Sequence, residues 1–270
     1  MKQITQPYIY RNLSQEYHSK TQTGILYFFE KIIRSHPLLY FISRSLVRFT
    51  NIFEEDFEGV KLLNFNESVN IIDVGASDGI ASKFFSKNLN AHSIICYEPH
   101  NFYINILNKL NIKNLIIKPF AIGNKNTFKT IYYPRYKFFF KNFDLITYTH
   151  YDKQFLKQQI SFDFKFKKNI SIIKTKIKVR TVKKEKRKIH LIKIDTNGYE
   201  LPIIKGLNDI IKRDRSAIIV ESNQDIKKID KILSKYSYKS YYFLPIEKKF
   251  KLVNNKYPLN TFFLQKKHLT

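Results

Sequence analysis

From residue 69 onward the sequence alternates short apolar runs with segments of helical period, and this limits the chain to a small set of folds. VNIIDV is a buried strand, and DGIASKFFSKNL carries Ala81, Phe84 and Phe85 on one helical face. HSIICYE, NLIIKPFAIG, IHLIKID and SAIIVES read as further strands. HNFYINILNKL, YELPIIKGLNDIIK (which Gly206 interrupts) and DIKKIDKILSKY read as helices, and SYYFLPI and TFFLQKK as terminal strands. Such alternation predicts an α/β fold with a doubly wound, mostly parallel sheet. The two adjacent terminal strands predict that its far edge closes with an antiparallel hairpin.

Two regions stand outside this rhythm. Residues 125–189 hold two strand-like stretches, TFKTIYY and ISIIKTKIKV, around an aperiodic one. They read as an insertion over the ligand face, before the fourth strand. With no repeat and no Gly/Ser- or Pro-rich linker, an independent second domain is not expected. Residues 24–50 are the most hydrophobic stretch. Ile25, Phe28, Phe29, Ile32 and Ile33 recur at helical spacing, as do Leu38, Leu39, Ile42, Leu46 and Phe49, with Pro37 dividing the two sets and Ser35 placed to cap. Lys31, Arg34, Arg44 and Arg48 interrupt the run too often for a membrane span. It reads as a helical pair packed on the main domain, or as a basic amphipathic surface resting on a membrane. The organisation expected is a helical segment over 1–60 and the α/β domain over 61–270.

A net charge of +26 invites a nucleic-acid partner. About 39 of the 48 basic residues are lysine, however, and Ile, Asn, Phe and Tyr abound while Ala is rare. That bias marks an AT-rich genome, whereas arginine is the residue favoured for guanine readout and bidentate phosphate contacts. The charge still attracts anionic partners such as a nucleotide, glycan or lipid headgroup. Cys96 is the only cysteine, which excludes an intramolecular disulfide and a cysteine-based zinc site and fits a reducing compartment. The polar N-terminus lacks the apolar core of a secretory signal, so a cytoplasmic location is expected, with membrane association through residues 24–50 as the alternative.

The strand at 69–74 runs into IIDVGASDG, where Asp73 is followed by Gly75 and Gly79. Ser77 stands where a dinucleotide site would want its second close-approach glycine. A carboxylate at a strand end repels a pyrophosphate but accepts hydrogen bonds from an amine. S-adenosylmethionine carries an α-amino group and a sulfonium and no phosphate, so the pattern favours a methyl donor. Glu98 closes the second strand at a spacing near the ~20 residues at which an acid grips ribose hydroxyls. Phe120, Ala121 and Ile122 offer apolar surface where an adenine ring would rest.

IIDVGASDG, CYEPH, FAIGN, IHLIKIDTNGYELPIIKG and AIIVES, in that order, resemble the motifs of the FkbM family of S-adenosylmethionine-dependent methyltransferases. The resemblance covers roughly residues 69–222, loosely over 125–189. It implies a class I methyltransferase (Rossmann-like) fold with a seven-stranded sheet whose last strand is antiparallel. It also implies O-methylation of a hydroxyl, often on a sugar or other secondary metabolite. Asp73, Gly75 and Gly79, with Ser77 in a place where the family often has Asn, and Glu98 match its donor-binding positions. Asp195 matches the acid ending the fourth strand beside the methyl group. The chain departs from the family at Thr196-Asn197, where Val-Glu is common, and at Lys183, where an acid is common; dependence on a divalent metal is thereby left open.

Methyl transfer to oxygen needs an in-line hydroxyl and a base for its proton. Asp195 at the end of LIKID is the first candidate, with Lys193 on the same face. His150 in the insertion and His100 after the second strand are alternative bases, while Glu200 and Glu221 stand at first-turn and strand-end positions. The expected acceptor is a hydroxyl of a sugar, glycolipid or related small molecule. A DNA or RNA methyltransferase and a catalytically inactive donor-binding protein are the alternatives. The DTNGYE string after the fourth strand argues against the N/D-P-P-Y type of amino-directed enzyme.

Overall fold

The computed structural model describes residues 35–47, 53–165, 167–182 and 184–269. Helix α1 spans Pro37–Val47, and a 3-10 segment, Glu55–Leu62, precedes β1 (Val69–Val74), α2 (Ile80–Asn88), β2 (Ala91–Tyr97), α3 (Asn101–Leu107), β3 (Leu115–Lys118) and β4 (Ala121–Ile122). Then come β5 (Thr127–Phe138), β6 (Lys141–Asp144), α4 (Lys153–Asp163) and β7 (Ile170–Arg180). The chain continues with β8 (Leu191–Ile194), α5 (Glu200–Gly206), α6 (Asn208–Asp214), β9 (Ala217–Glu221), α7 (Ile226–Ser234), β10 (Lys239–Leu244), β11 (Lys249–Leu252) and β12 (Asn260–Leu264).

These elements fall into two compact units. Among the described residues, the larger holds 53–128 and 177–269 and the smaller holds 35–47 and 129–176. The larger is built on a sheet of order β11-β10-β12-β9-β8-β1-β2-β3. β1, β2, β3, β8 and β9 pair in parallel, while β12 runs antiparallel between β9 and β10. Alternation of side chains gives the sheet two buried faces. One carries Ile72, Ile95, Ile192 and Ile218 against α5, α6 and α7. The other carries Ile71, Ile94, Leu191 and Phe262 against α2 and the 3-10 segment, where Phe57 meets Phe84 and Phe85.

The sheet thus has eight strands where seven were expected. Lysine-rich β11 lacks the apolar run that marks a strand, and it forms the edge by pairing with β10. The last strand is antiparallel and pairs with β10 as expected, but it lies between β10 and β9, and β11 forms the edge in its place. NLIIKPFAIG is also not one strand. Proline has no N–H for the ladder, and after Pro119 the chain leaves β3; β4 pairs instead with the end of β7.

The smaller unit has its own core of Tyr136, Leu145, Tyr148, Leu156, Ile160 and Phe164. Its strands run in the order β7-β5-β6. Helix α1 starts at Pro37, which suits a first-turn position that needs no N–H. It belongs to this unit: Tyr40 packs edge-on against Tyr148 and Phe164 and hydrogen-bonds Thr147, while Phe41 meets Phe143. The aperiodic stretch is therefore a folded body completed by a helix about 100 residues earlier in sequence. Its aromatic spacing fits neither simple period because one core draws on three separate segments. The first helix expected, over residues 24–34, lies outside the described residues.

Candidate active site

Strand order reverses between β1 and β8, and in open α/β sheets the crevice at such a point takes the ligand. Register places Asp73 opposite Cys96 on β2 and Lys193 on β8, so these side chains share one face. Lys193 Nζ lies 3.2 Å from Asp195 Oδ2 and 3.6 Å from Asp73 Oδ1. Burial alone would favour the neutral amine, but the carboxylates of Asp195, Asp73 and Glu54 outweigh it and hold Lys193 charged, above the usual lysine range. Asp73 is fully buried, and Ser82 Oγ donates to its Oδ2 over 2.6 Å. Its Oδ1 is buried without a hydrogen-bond partner.

The turn after β1 is left-handed at Gly75, Ser77 and Gly79, with φ of 75°, 52° and 79°. A Cβ on Gly75 would stand 1.9 Å from the Asp195 carbonyl oxygen. The glycine is needed where the β1 and β8 loops touch. A Cβ on Gly79 would instead meet Leu110 and Leu107 at 2.3 and 2.9 Å. Both glycines, expected to admit a ligand, are thus accounted for by contacts within the chain. Ser77 N–H donates to Glu98 Oε2 over 3.0 Å, and His100 N–H donates to Oε1 over 2.8 Å. Glu98 thereby ties the first two loops together. Burial pushes its carboxyl up to about 7, against the opposing pull of the two backbone donors.

The loop after β8 is held by Glu200. Fully buried, it accepts from Thr196 N–H at 2.9 Å, Thr196 Oγ at 3.1 Å, Gly198 N–H at 3.1 Å and the Asn223 side-chain amide. This staple keeps Asn197 and Gly198 at φ of 53° and 105° and leaves Asn197 exposed. Burial pushes Glu200 up, with the N–H donors opposing. Asp195 has 34% of its side chain exposed. Glu221, closing β9, hydrogen-bonds Asp195; loss of solvent, and then the Asp195 charge, push Glu221 well above the usual carboxyl range. Behind them Asn260 Nδ2 donates to Glu54 and Asp56 over 2.8 and 3.1 Å. Sequence reading missed Ser82, Glu54 and Asn260; the last two meet across more than 200 positions, a distance no local motif spans.

The other expected residues are placed differently. His150 belongs to the smaller unit, where its ring stacks on Phe155 at 4.3 Å and its Nδ1 accepts from Asp152 N–H. Burial pushes its pKa down. His100 caps α3 by accepting from Phe102 N–H. Ala121 and Ile122 are buried in β4, Ile122 fully within the core, and Phe120 packs edge-on against Tyr97. Lys183 lies outside the described residues. Among the described residues, no three His, Cys, Asp or Glu side chains group to hold a metal ion, and no helix is long and apolar enough to cross a membrane.

The model of the Methyltransferase FkbM domain matches residues 73–240, from the buried Asp73 through the stapled loop into β10. The chain belongs to the FkbM methyltransferase family. Among solved structures, the methyltransferase FkbM from Methylobacillus flagellatus KT is 15% identical with a TM-score of 0.45, covering 75% of this chain and 45% of that one. The present chain thus spans less than half of that protein. TrmK of M. capricolum, solved with S-adenosyl-homocysteine, is 12% identical with a TM-score of 0.40, over 82% of this chain and 72% of that one. The ribosomal protein L11 methylase from Lactobacillus delbrueckii subsp. bulgaricus is 11% identical with a TM-score of 0.41, over 77% and 74%. No curated protein matches the chain.

The site of this FkbM methyltransferase fits the methyl donor in two respects. Asp73 Oδ1 has no hydrogen-bond partner among the described residues, with Lys193 Nζ beyond hydrogen-bond reach at 3.6 Å, and so fits an acceptor for an ammonium group. Each Glu98 oxygen has accepted one backbone N–H, and a carboxylate offers about four acceptor sites. Two acceptor sites remain, the number a ribose diol would need.

Proposed function

We propose that this FkbM methyltransferase transfers a methyl group to a hydroxyl oxygen of a sugar, glycolipid or related metabolite. The observation that carries the reading is the partly exposed Asp195 carboxylate, clamped between charged Lys193 and hydrogen-bonded Glu221 at the reversal point of the sheet. When bound, S-adenosylmethionine supplies an electrophilic methyl carbon on a sulfonium. Asp195 would take the proton of an acceptor hydroxyl held in line with that carbon. Lys193 and Glu221 hold the carboxylate still, which makes Lys193 a positioning residue. Glu98 accepts from the ribose hydroxyls and Asp73 from the ammonium group. Gly75, Ser77 and Gly79 shape the turn over the methionine end.

The test is Asp195→Asn with a panel of saccharide and glycolipid acceptors. Turnover should fall about 10²-fold or more while donor affinity, read by calorimetry, stays within about twofold. Wild-type turnover in the variant would remove Asp195 from the chemistry. RNA is the alternative acceptor class; methylation of RNA with none of any saccharide would replace the first reading.

A further inference from the structure

The smaller unit presents an aromatic, exposed hairpin tip. β5 and β6 are joined through Phe139 and Phe140, with Phe138 opposite Lys141. Phe138, Phe139 and Phe140 are 38%, 77% and 99% exposed. Phe139 has φ of 51°, a state that two-residue hairpin turns reserve for Gly, Asn or Asp. Phenylalanine adopts it at a cost, and among the described residues the ring contact of Phe139 is edge-on with Phe138, at 4.7 Å. Folding stability therefore does not explain these rings.

The tip adjoins a cationic cavity. Phe138 stacks on Tyr136 at 6.2 Å. Tyr136 lines a cavity of about 380 Å³ together with His36, Lys165, Lys167, Lys168 and Asn169. Asn169 accepts from Lys137 N–H, which ties that segment to the hairpin. Lys137 and Lys141 flank the rings and are exposed, as are Lys165, Lys167 and Lys168. The acids described in this unit are engaged or buried: Asp144 holds Arg135, Asp152 caps α4, and Asp163 is buried. Among the described residues, the positive charge around the cavity stands without a local counterweight.

We propose that this hairpin and cavity dock the enzyme on an anionic lipid membrane. The three rings enter the interface, where aromatic side chains are favoured, and the lysines take phosphate-bearing headgroups. A bilayer receives several rings at once without a matching pocket, and its negative surface complements the lysines. The surface differs from the 24–50 stretch, whose Tyr40 and Phe41 are used in packing.

The experiment is sedimentation of the full chain with vesicles of phosphatidylcholine alone and of phosphatidylcholine with about one-third phosphatidylserine, a fraction chosen to give the strong negative surface potential of a PS-rich membrane. Wild-type protein should bind the second and not the first, with affinity falling as salt rises. With φ positive at the first central residue and not the second, the turn favours Gly followed by Asn, so the pair Phe139→Gly and Phe140→Asn lets the hairpin fold at least as well, yet binding should fall at least tenfold. Replacing Lys165, Lys167 and Lys168 with Gln should lower it roughly fivefold for each charge removed. The chain has no tryptophan, so Phe140→Trp introduces a single fluorophore whose emission should shift to the blue on anionic vesicles. Absence of vesicle binding by the wild type, or unchanged binding by the turn variant, would overturn the proposal. So would a turn variant that changes only the oligomeric state in analytical ultracentrifugation, since the rings would then join two copies of the chain.

Discussion

Replacing Glu98 with glutamine keeps the side chain's shape and removes its titration. In the folded chain the carboxyl sits at about 7 because burial outweighs the donors from Ser77 and His100, against an ordinary value of 4.5. As pH rises from 4.5 the unfolded chain gives up the proton while the folded chain keeps it. The carboxyl's contribution to stability is therefore fully present below the ordinary value, declines with rising pH, and is lost above about 7. The gap amounts to about 3 kcal/mol. Glutamine turns its amide N–H toward one of two backbone N–H groups, a cost of about 1–3 kcal/mol that does not vary with pH. Urea denaturation across this range should show wild type losing about 3 kcal/mol relative to Glu98→Gln. Glu200 and Glu221 titrate in both proteins and cancel in the difference. If ionised Glu98 accepts the ribose hydroxyls, wild-type donor affinity should rise about tenfold per pH unit toward 7 and then level off. The variant should bind weakly and without that slope. Parallel stability profiles would refute the placement of Glu98, and parallel binding profiles would refute its role toward the donor.

Gly75→Ala and Gly79→Ala share a left-handed backbone, which costs alanine about 1–2 kcal/mol, so their difference isolates what the methyl meets. At Gly75 it meets the Asp195 carbonyl and must displace it by about 1 Å, enough to lower turnover about 10²-fold. At Gly79 it meets yielding leucine ends, and turnover should stay within about fivefold of wild type; equal losses in both variants would sink the explanation. Lys193→Met leaves two carboxylates without their cation and should cost about 3–5 kcal/mol in urea denaturation. Adding Asp73→Asn should recover part of that loss, whereas strict additivity would show that the pair across 3.6 Å does not interact.

Much of this enzyme was legible in its sequence because the signals involved are local. An apolar run closed by an acid announces a strand whose carboxylate lies at the strand's carboxyl end, and Asp73, Glu98 and Asp195 all stand at such ends. Alternation along IKID puts Lys193 on the face of Asp195, and the ordered motifs name the family. The tertiary structure decided the rest, because charge burial and strand order arise between residues far apart in the chain. Only the β1–β8 register sets Lys193 between Asp73 and Asp195. Only folding shows that the two glycines make room for a carbonyl and two leucines, and that Glu200 staples its own loop. The smaller unit was invisible for the same reason. Its core joins α1 to β5, β6, α4 and β7, segments separated by the first half of the large sheet. No periodicity survives where each segment supplies one or two rings to a shared centre.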